Sequence, residues 1–443
     1  MALLLLTGNL FPGSRERREK GKISPIFNEV FLVFIMNIQL SNTHNTLRGD
    51  LEITGSKSES NRMLILQAQF PNIILENLSN SDDTNVLQKA LGTNKGTVDI
   101  HHAGTAMRFL TAYYAALPGS EVILTGSGRM KERPVKLLVD ALRSLGAEIV
   151  YLENEGFPPL KITGKKFIEN TVVVNANISS QYISALMLIA PSLPDGLEII
   201  LDGHITSIPY ITMTLDLLTS LGIQGTFHDK VIRIEPTSTI NDVTIGIESD
   251  WSSASYFYSL AAICETAVIK LSNYRSNSLQ GDSCLAEIYT HFGVLSRFEG
   301  NNLILEKNPC KKPRMIHEDL QNSPDIAQTI AVTCLALGVD CELDGLHTLK
   351  IKETDRLVAL KTEMEKFGAK VEITEDNLKL KAPDILNKNV MVSTYNDHRM
   401  AMAFAPLALK TPLEIEDAEV VSKSYPEFWE HLEKLGFKVA KSR

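Results

Sequence analysis

The chain has 443 residues, more than one ordinary hydrophobic core absorbs, so about two or three domains are expected. Its formal net charge of −9, with 44% hydrophobic and 22% charged residues, argues against a general nucleic-acid or acidic-membrane surface, so any basic cluster needs its own explanation. The five cysteines, with no C-x-x-C spacing, read as reduced thiols of a cytoplasmic protein rather than as a disulfide framework or metal site.

In chain order, residues 1–35 look foreign to the rest of the sequence. The leucine run at 3–6 is too short to cross a bilayer. The basic cluster Arg15, Arg17, Arg18, Lys20 and Lys22 comes after it, the reverse of a secretory signal, and Glu16 and Glu19 argue against a transit peptide. The expectation is an extension at 1–35 that is not part of the fold, with Met36 opening the folded protein.

The first chemical stretch is GSKSESNR at 55–62. A Gly-Ser pair ends a strand-like run, and hydroxyls and two cations precede the apolar residues 63–66, a pattern that predicts a tight turn opening a helix. The free N–H groups of a helix start attract anions, and Lys57 beside Ser58 strengthens that attraction. With a helix from about Ser58, Ser58 and Arg62 share one face. A plain N-cap with a solvated Arg62 is the simpler alternative.

DIHHAGTAMR at 99–108 places a small-residue turn before a helix. Gly104 allows close backbone approach, Thr105 can cap or bind an anion, and Arg108 follows one turn later. The His101–His102 pair lacks a third ligand at convincing spacing, so no metal is predicted. In GSGRMKERP at 126–134, Arg129, Lys131 and Arg133 alternate; an extended segment would put them on one face, as an anion clamp or a basic strand edge. Ser179, Ser180 and Gln181 precede the apolar helix 183–190, where they suit an oxyanion or simple capping.

Further on, Pro324-Asp325 opens the apolar run 326–337 with ordinary helix-start chemistry. KIKETDR at 350–356 packs five charges into seven residues; on a helix Lys352 and Arg356 fall at i,i+4, and Glu353 and Arg356 at i,i+3. A carboxylate held among cations can carry a proton if burial and partners tune it. YNDHRMAM at 395–402 brings His398 and Arg399 to a helix start, and Lys423 lies near the last helix.

Five segments share one form, a helix-period run ending in Leu/Phe-Gly, most of them followed by a short strand pattern. Their glycines are 146, 222, 293, 368 and 436, about 70 residues apart, and a weaker sixth copy ends at Gly92 after a shorter step. The repetition predicts an α/β architecture of reused units, each holding strands and two helices.

The segments GSKSESNR, AGTAMRF, RMKERP, SSQY, SDWSSASYF, KETDR, YNDHRMAM and SKSYPEFW follow one another from 55 to 429. In that order they resemble the 5-enolpyruvylshikimate-3-phosphate synthase family of enolpyruvyl transferases, over a match from about Met36 to the C-terminus. The resemblance implies α/β repeats in a two-domain enolpyruvyl transferase architecture of six βαβαββ units, three per domain. The stretch between Asp83 and Asp99 is short, so the first unit is expected to be truncated, lacking part of its hairpin. One domain would be discontinuous (36–54 plus 249–443, with the catalytic acids and the phosphoenolpyruvate side); the other would be 55–248, on the shikimate 3-phosphate side.

The implied activity transfers the enolpyruvyl group of phosphoenolpyruvate to the 5-hydroxyl of shikimate 3-phosphate, in chorismate and aromatic amino acid biosynthesis. No cofactor, metal, nucleic acid or membrane is implied, and the protein would be a cytoplasmic monomer. By the resemblance, Lys57, Ser58, Arg62, Ser179, Ser180, Gln181, Ser207, Tyr210, Asp325 and Lys352 would meet shikimate 3-phosphate. Lys57, Gly104, Arg133, Gln181, Arg356, Arg399 and Lys423 would enclose phosphoenolpyruvate. Asp325 as proton acceptor, Glu353 as protonated acid and Lys57 would be catalytic. His102 stands where the family usually has Asn, and Phe109 where Pro or Leu is frequent. The rival readings are a UDP-N-acetylglucosamine enolpyruvyl transferase and a non-catalytic ligand-binding descendant.

Overall fold

The computed structural model describes residues 36–42, 44–175, 179–203, 205 and 208–442; the expected extension 1–35 and Ser207 lie outside them. Within this span the strands are short and bury alternate side chains, as in Leu197–Asp202 and Thr171–Asn175, so each sheet has one face on a core and one toward solvent.

Five four-stranded sheets repeat one topology. In the first, Lys95–Asp99 and Glu121–Thr125 run parallel, joined by helix Gly104–Ala116; the hairpin Glu148–Tyr151 and Leu160–Thr163 then adds antiparallel through its second strand. The connection that must cross over between parallel strands takes a helix, whereas the hairpin needs only a turn. Two sheets use distant chain: Asn37–Ser41 pairs with Leu413–Ile415 and Lys438–Ser442, and Thr46–Leu51 lies parallel to Thr266–Ser272.

At the five predicted glycines the backbone is left-handed, with φ between 76° and 105°, which ends the helix before the next strand without strain. The sixth copy differs. Gly92 has φ −77°, and the strand after it, Lys95–Asp99, opens the next sheet instead of a hairpin. The expected truncation goes further than part of a hairpin: among the described residues the sixth sheet is only Ile73–Glu76 beside the parallel Val243–Gly246.

Buried apolar side chains form two separate cores. One draws on residues 63–247, the other on residues 38–53 and 251–437. The chain therefore passes between cores after Ile53 and returns between Ile247 and Trp251, and there Ser56 N–H donates to the Glu248 carbonyl at 2.7 Å. Each core contains three helices buried almost all round: Lys57–Gln69, Gly104–Ala116 and Ser180–Ile189 in one, and Trp251–Ile263, Ala327–Leu337 and His398–Phe404 in the other. Among the described residues no helix is long and apolar enough to cross a membrane.

Candidate active site

All six buried helices begin at one cavity of about 370 Å³. Its lining includes Lys57 and Ser58, Gly104 and Thr105, Ser180 and Gln181, Ser252 and Ser253, Pro324 and Asp325, and His398 and Arg399, two from each start. The local reason is capping. Ser56, Ser179, Asp250 and Asp397 accept from the first-turn N–H groups of their helices, which leaves the remaining N–H groups and the positive helix ends directed at the same space. Six such ends around one cavity favour a ligand of high negative charge.

The carboxylates lie on the side of the second core. Asp325 Oδ1 is 2.9 Å from Arg356 Nη1 and 3.5 Å from Lys352 Nζ; its Oδ2 is 3.2 Å from Arg399 Nη2 and accepts from the Tyr210 hydroxyl at 3.3 Å. Arg356, 2% exposed, also holds Glu353 at 2.8 Å through Nη2 and the fully buried Asp397 at 2.6 Å through Nε. Burial pushes the Asp325 carboxyl up, but Arg399, Lys352 and Arg356 outweigh it and hold it well below the usual carboxylate range. Burial likewise raises Glu353, and Arg356 and Arg133 foremost hold it well below its ordinary value. These cations favour the ionised carboxylate of Glu353, whereas its expected role as an acid needs it protonated. Burial lowers the Lys352 amine, with Asp325 opposing.

The opposite wall carries cations with unused donors. Arg108 Nη1 donates to the Gly104 carbonyl at 2.9 Å, while Arg108 Nε and Arg133 Nε are buried without a hydrogen-bond partner among the described residues. The same holds for both ring nitrogens of His398, whose protonation burial suppresses strongly. Buried donors of this kind call for acceptors from a ligand. A Cβ at Gly104 would lie 2.6 Å from Arg133 Nη1, so only glycine lets that guanidinium approach.

Several expectations change in detail. Arg62 is not solvated; it is 2% exposed, donates to Thr214, Ser184 and the Ser58 carbonyl, and lies 5.5 Å from the Phe109 ring centroid. The departure at Phe109 therefore packs against a site cation. The 126–134 segment is not extended: Gly128–Lys131 is a single helical turn, so Arg129 pairs with Glu132 and Lys131 with Glu153, and Arg133 alone of the three lines the cavity. Helix Arg356–Lys366 starts only after Glu353, so Lys352 reaches Asp325 from an irregular turn rather than from a helix face.

Lys57 points to Asp83 at 3.5 Å, a partner sequence reasoning missed, and both line the cavity. So do Ser179, Tyr210, Glu353 and Arg356. Lys423 is not among the lining residues; its amine donates to the Asn396 carbonyl at 2.7 Å, and its neighbour Ser424 lines the cavity instead. Arg108 and His398 stood inside recognised motifs without a role; their spacing from Gly104 and from the helix cap Asp397 was the available signal. His102 lines a separate small pocket with Asp82, Asn85 and His101. Among the described residues no group of three or more His, Cys, Asp or Glu side chains is arranged to hold a metal.

A family model described as EPSP synthase (3-phosphoshikimate 1-carboxyvinyltransferase) matches residues 87–432. The chain belongs to the EPSP synthase family. Within this family, a 3-phosphoshikimate 1-carboxyvinyltransferase of Bacteroides fragilis (strain YCH46) is 44% identical over 396 residues, covering 88% of this chain and 96% of that protein. Another, from Haemophilus influenzae, is 38% identical over 430 residues, covering 89% and 98%. A solved EPSP synthase from Acinetobacter baumannii aligns with a TM-score of 0.75 at 20% identity, over 92% of this chain and 100% of that one, and shares the fold. For a member of the EPSP synthase family, the six helix starts and the buried cations form the natural place to look for substrates.

Proposed function

We propose that this protein transfers the enolpyruvyl group of phosphoenolpyruvate to the 5-hydroxyl of shikimate 3-phosphate, releasing phosphate, as a step of chorismate and aromatic amino acid biosynthesis. The observation that carries this reading is the convergence of six helix starts and several buried cations on two carboxylates in one cavity. Ser58, Arg62, Ser179, Ser180, Gln181, Tyr210 and Lys352, together with Ser207, hold the acceptor; Gly104, Arg133, Gln181, Arg356 and Arg399 hold the donor, joined by Lys423 once its amine turns from the Asn396 carbonyl; Lys57 meets both. The reading has two domains, 36–54 plus 249–443 and 55–248, closing on the substrates; the two separate cores support it.

Asp325 accepts the proton of the attacking hydroxyl, for which it must be ionised, as its cations keep it. Glu353 delivers a proton to the enol methylene and then takes one back from the methyl group as phosphate leaves. The donor supplies anionic partners to Arg356 and Arg133, the same cations that hold Glu353 ionised, so Glu353 gains a proton as the donor binds. Lys57 offsets charge on the bridging oxygen. The reading extends to a cytoplasmic location, which five free thiols support, and to a monomer; fractionation and sedimentation test that part. Phosphate release from phosphoenolpyruvate that depends on shikimate 3-phosphate tests the activity. Release with UDP-N-acetylglucosamine instead, or with neither acceptor, refutes it.

A further inference from the structure

Asp282 has no part in the scheme above. It sits in the single turn Gly281–Cys284, 5% exposed, and is not among the residues lining the cavity. The turn is held in place: the Ser323 hydroxyl donates to the Gly281 carbonyl at 2.9 Å, and a Cβ at Gly281 would meet Pro209 at 2.8 Å. Ser323 immediately precedes Pro324-Asp325, so Asp282 and the cavity carboxylate are anchored to the same short segment.

Asp282 Oδ2 is hydrogen-bonded to the Ser252 hydroxyl in the first turn of helix Trp251–Ile263. The same hydroxyl oxygen accepts from Arg399 Nη2 at 3.3 Å. On its other side Arg399 Nη2 lies 3.2 Å from Asp325 Oδ2, while Nη1 donates to the Asp325 carbonyl at 3.0 Å. A serine hydroxyl alone is a free rotor that either donates or accepts. With an ionised carboxylate behind it, the hydroxyl donates to Asp282 and turns a lone pair to the guanidinium; with Asp282 protonated, the acid donates to the hydroxyl oxygen and the bond survives.

We propose that Asp282, acting through Ser252, is a positioning residue that orients Arg399 and sets the charge behind it for the anionic enolpyruvyl donor. The proposal rests on the activity proposed above. The charged and titratable groups facing Asp282 are Asp325 from the turn before helix Ala327–Leu337, Arg399 from helix His398–Phe404, Asp250 at the cap of helix Trp251–Ile263, Tyr210 from helix Ile208–Ser220, and Cys284 of its own turn. Burial and the Asp325 charge push the Asp282 carboxyl up to about 7, against Arg399 and the Ser252 hydrogen bond. Below that pH Asp282 is neutral. Above it a fixed negative charge offsets the attraction of Arg399 for the donor.

The test measures KM for phosphoenolpyruvate in the phosphate-release assay, and its binding by calorimetry, from about pH 6 to about pH 8.5 in wild type, D282N, D282A and S252A. The wild-type KM is expected to rise through about pH 7, and in D282N, which carries the neutral form permanently, that rise is lost. The substrate's own ionisation is common to both and drops out of the comparison. D282A and S252A are expected to raise KM about tenfold at the low-pH end with a smaller fall in kcat, and the double variant to be no worse than either single one. A D282N profile that keeps the wild-type rise, or an S252A protein with unchanged KM, overturns the proposal. No phosphate release by wild type with both substrates would sink the activity instead, and calorimetric binding of phosphoenolpyruvate would still read the Asp282 effect.

Discussion

Glu59 offers the sharpest energetic test of the motif that carries the first site residues. It follows Lys57 and Ser58 in the first turn of helix Lys57–Gln69 and is 1% exposed. Burial, with the Glu248 charge adding, pushes it from the ordinary 4.5 up to about 7, while Arg275, a backbone hydrogen bond from Glu248 and Arg62 oppose. At about 1.36 kcal/mol per pKa unit, that rise makes the ionised folded state costlier by ~3 kcal/mol. The folded pKa is the higher one, so the favourable contribution is complete below about 4.5, declines as pH rises, and is gone above about 7. Glu59→Gln carries the neutral form at every pH. It should match wild type near pH 4.5 and exceed it by ~3 kcal/mol near pH 8 in denaturant unfolding, other titrating groups being common to both proteins. A difference between the two proteins that stays constant from about pH 5 to about pH 8 would refute the reasoning.

Gly104→Ala should raise KM for phosphoenolpyruvate about tenfold, since its Cβ displaces the Arg133 guanidinium; an unchanged KM would remove Arg133 from the donor side. Asp325→Asn should lower phosphate release about 100-fold or more while shikimate 3-phosphate still binds, and normal turnover would rule out its role as base. Arg356→Ala leaves three carboxylates without their shared cation, so a loss of ~3–5 kcal/mol is expected in denaturant unfolding; unchanged stability would mean the cluster does not depend on it. Binding of phosphoenolpyruvate in the presence of shikimate 3-phosphate should take up a proton, measured by calorimetry in buffers of different ionisation enthalpy, and Glu353→Gln should abolish that uptake.

The helix starts were legible because each is a local matter. The cap at Ser56 or Asp397 acts on an N–H two or three residues away, and the apolar run behind it appears in the same short stretch. The five glycines were legible for the same reason: a helix end followed closely by a strand requires positive φ at one position, and its repetition every 70 residues or so announces a reused unit. The order of charged motifs was enough to indicate the family.

What sequence could not determine lies between distant elements. Nothing local to KETDR says that its helix waits until Arg356, or that Arg356 is shared by Asp325, Glu353 and Asp397. The charge state of Glu353 answers to fields from side chains on several elements, chiefly Arg356 and Arg133, and so depends on how the elements pack. The two-stranded sheet joins strands about 170 positions apart, and the hydrogen bonds linking Asp282 to Arg399 run through Ser252 on a third element. Capping and turn chemistry act over a few residues and can be read along the chain, whereas burial, partner choice and charge state arise only once the chain has folded back on itself.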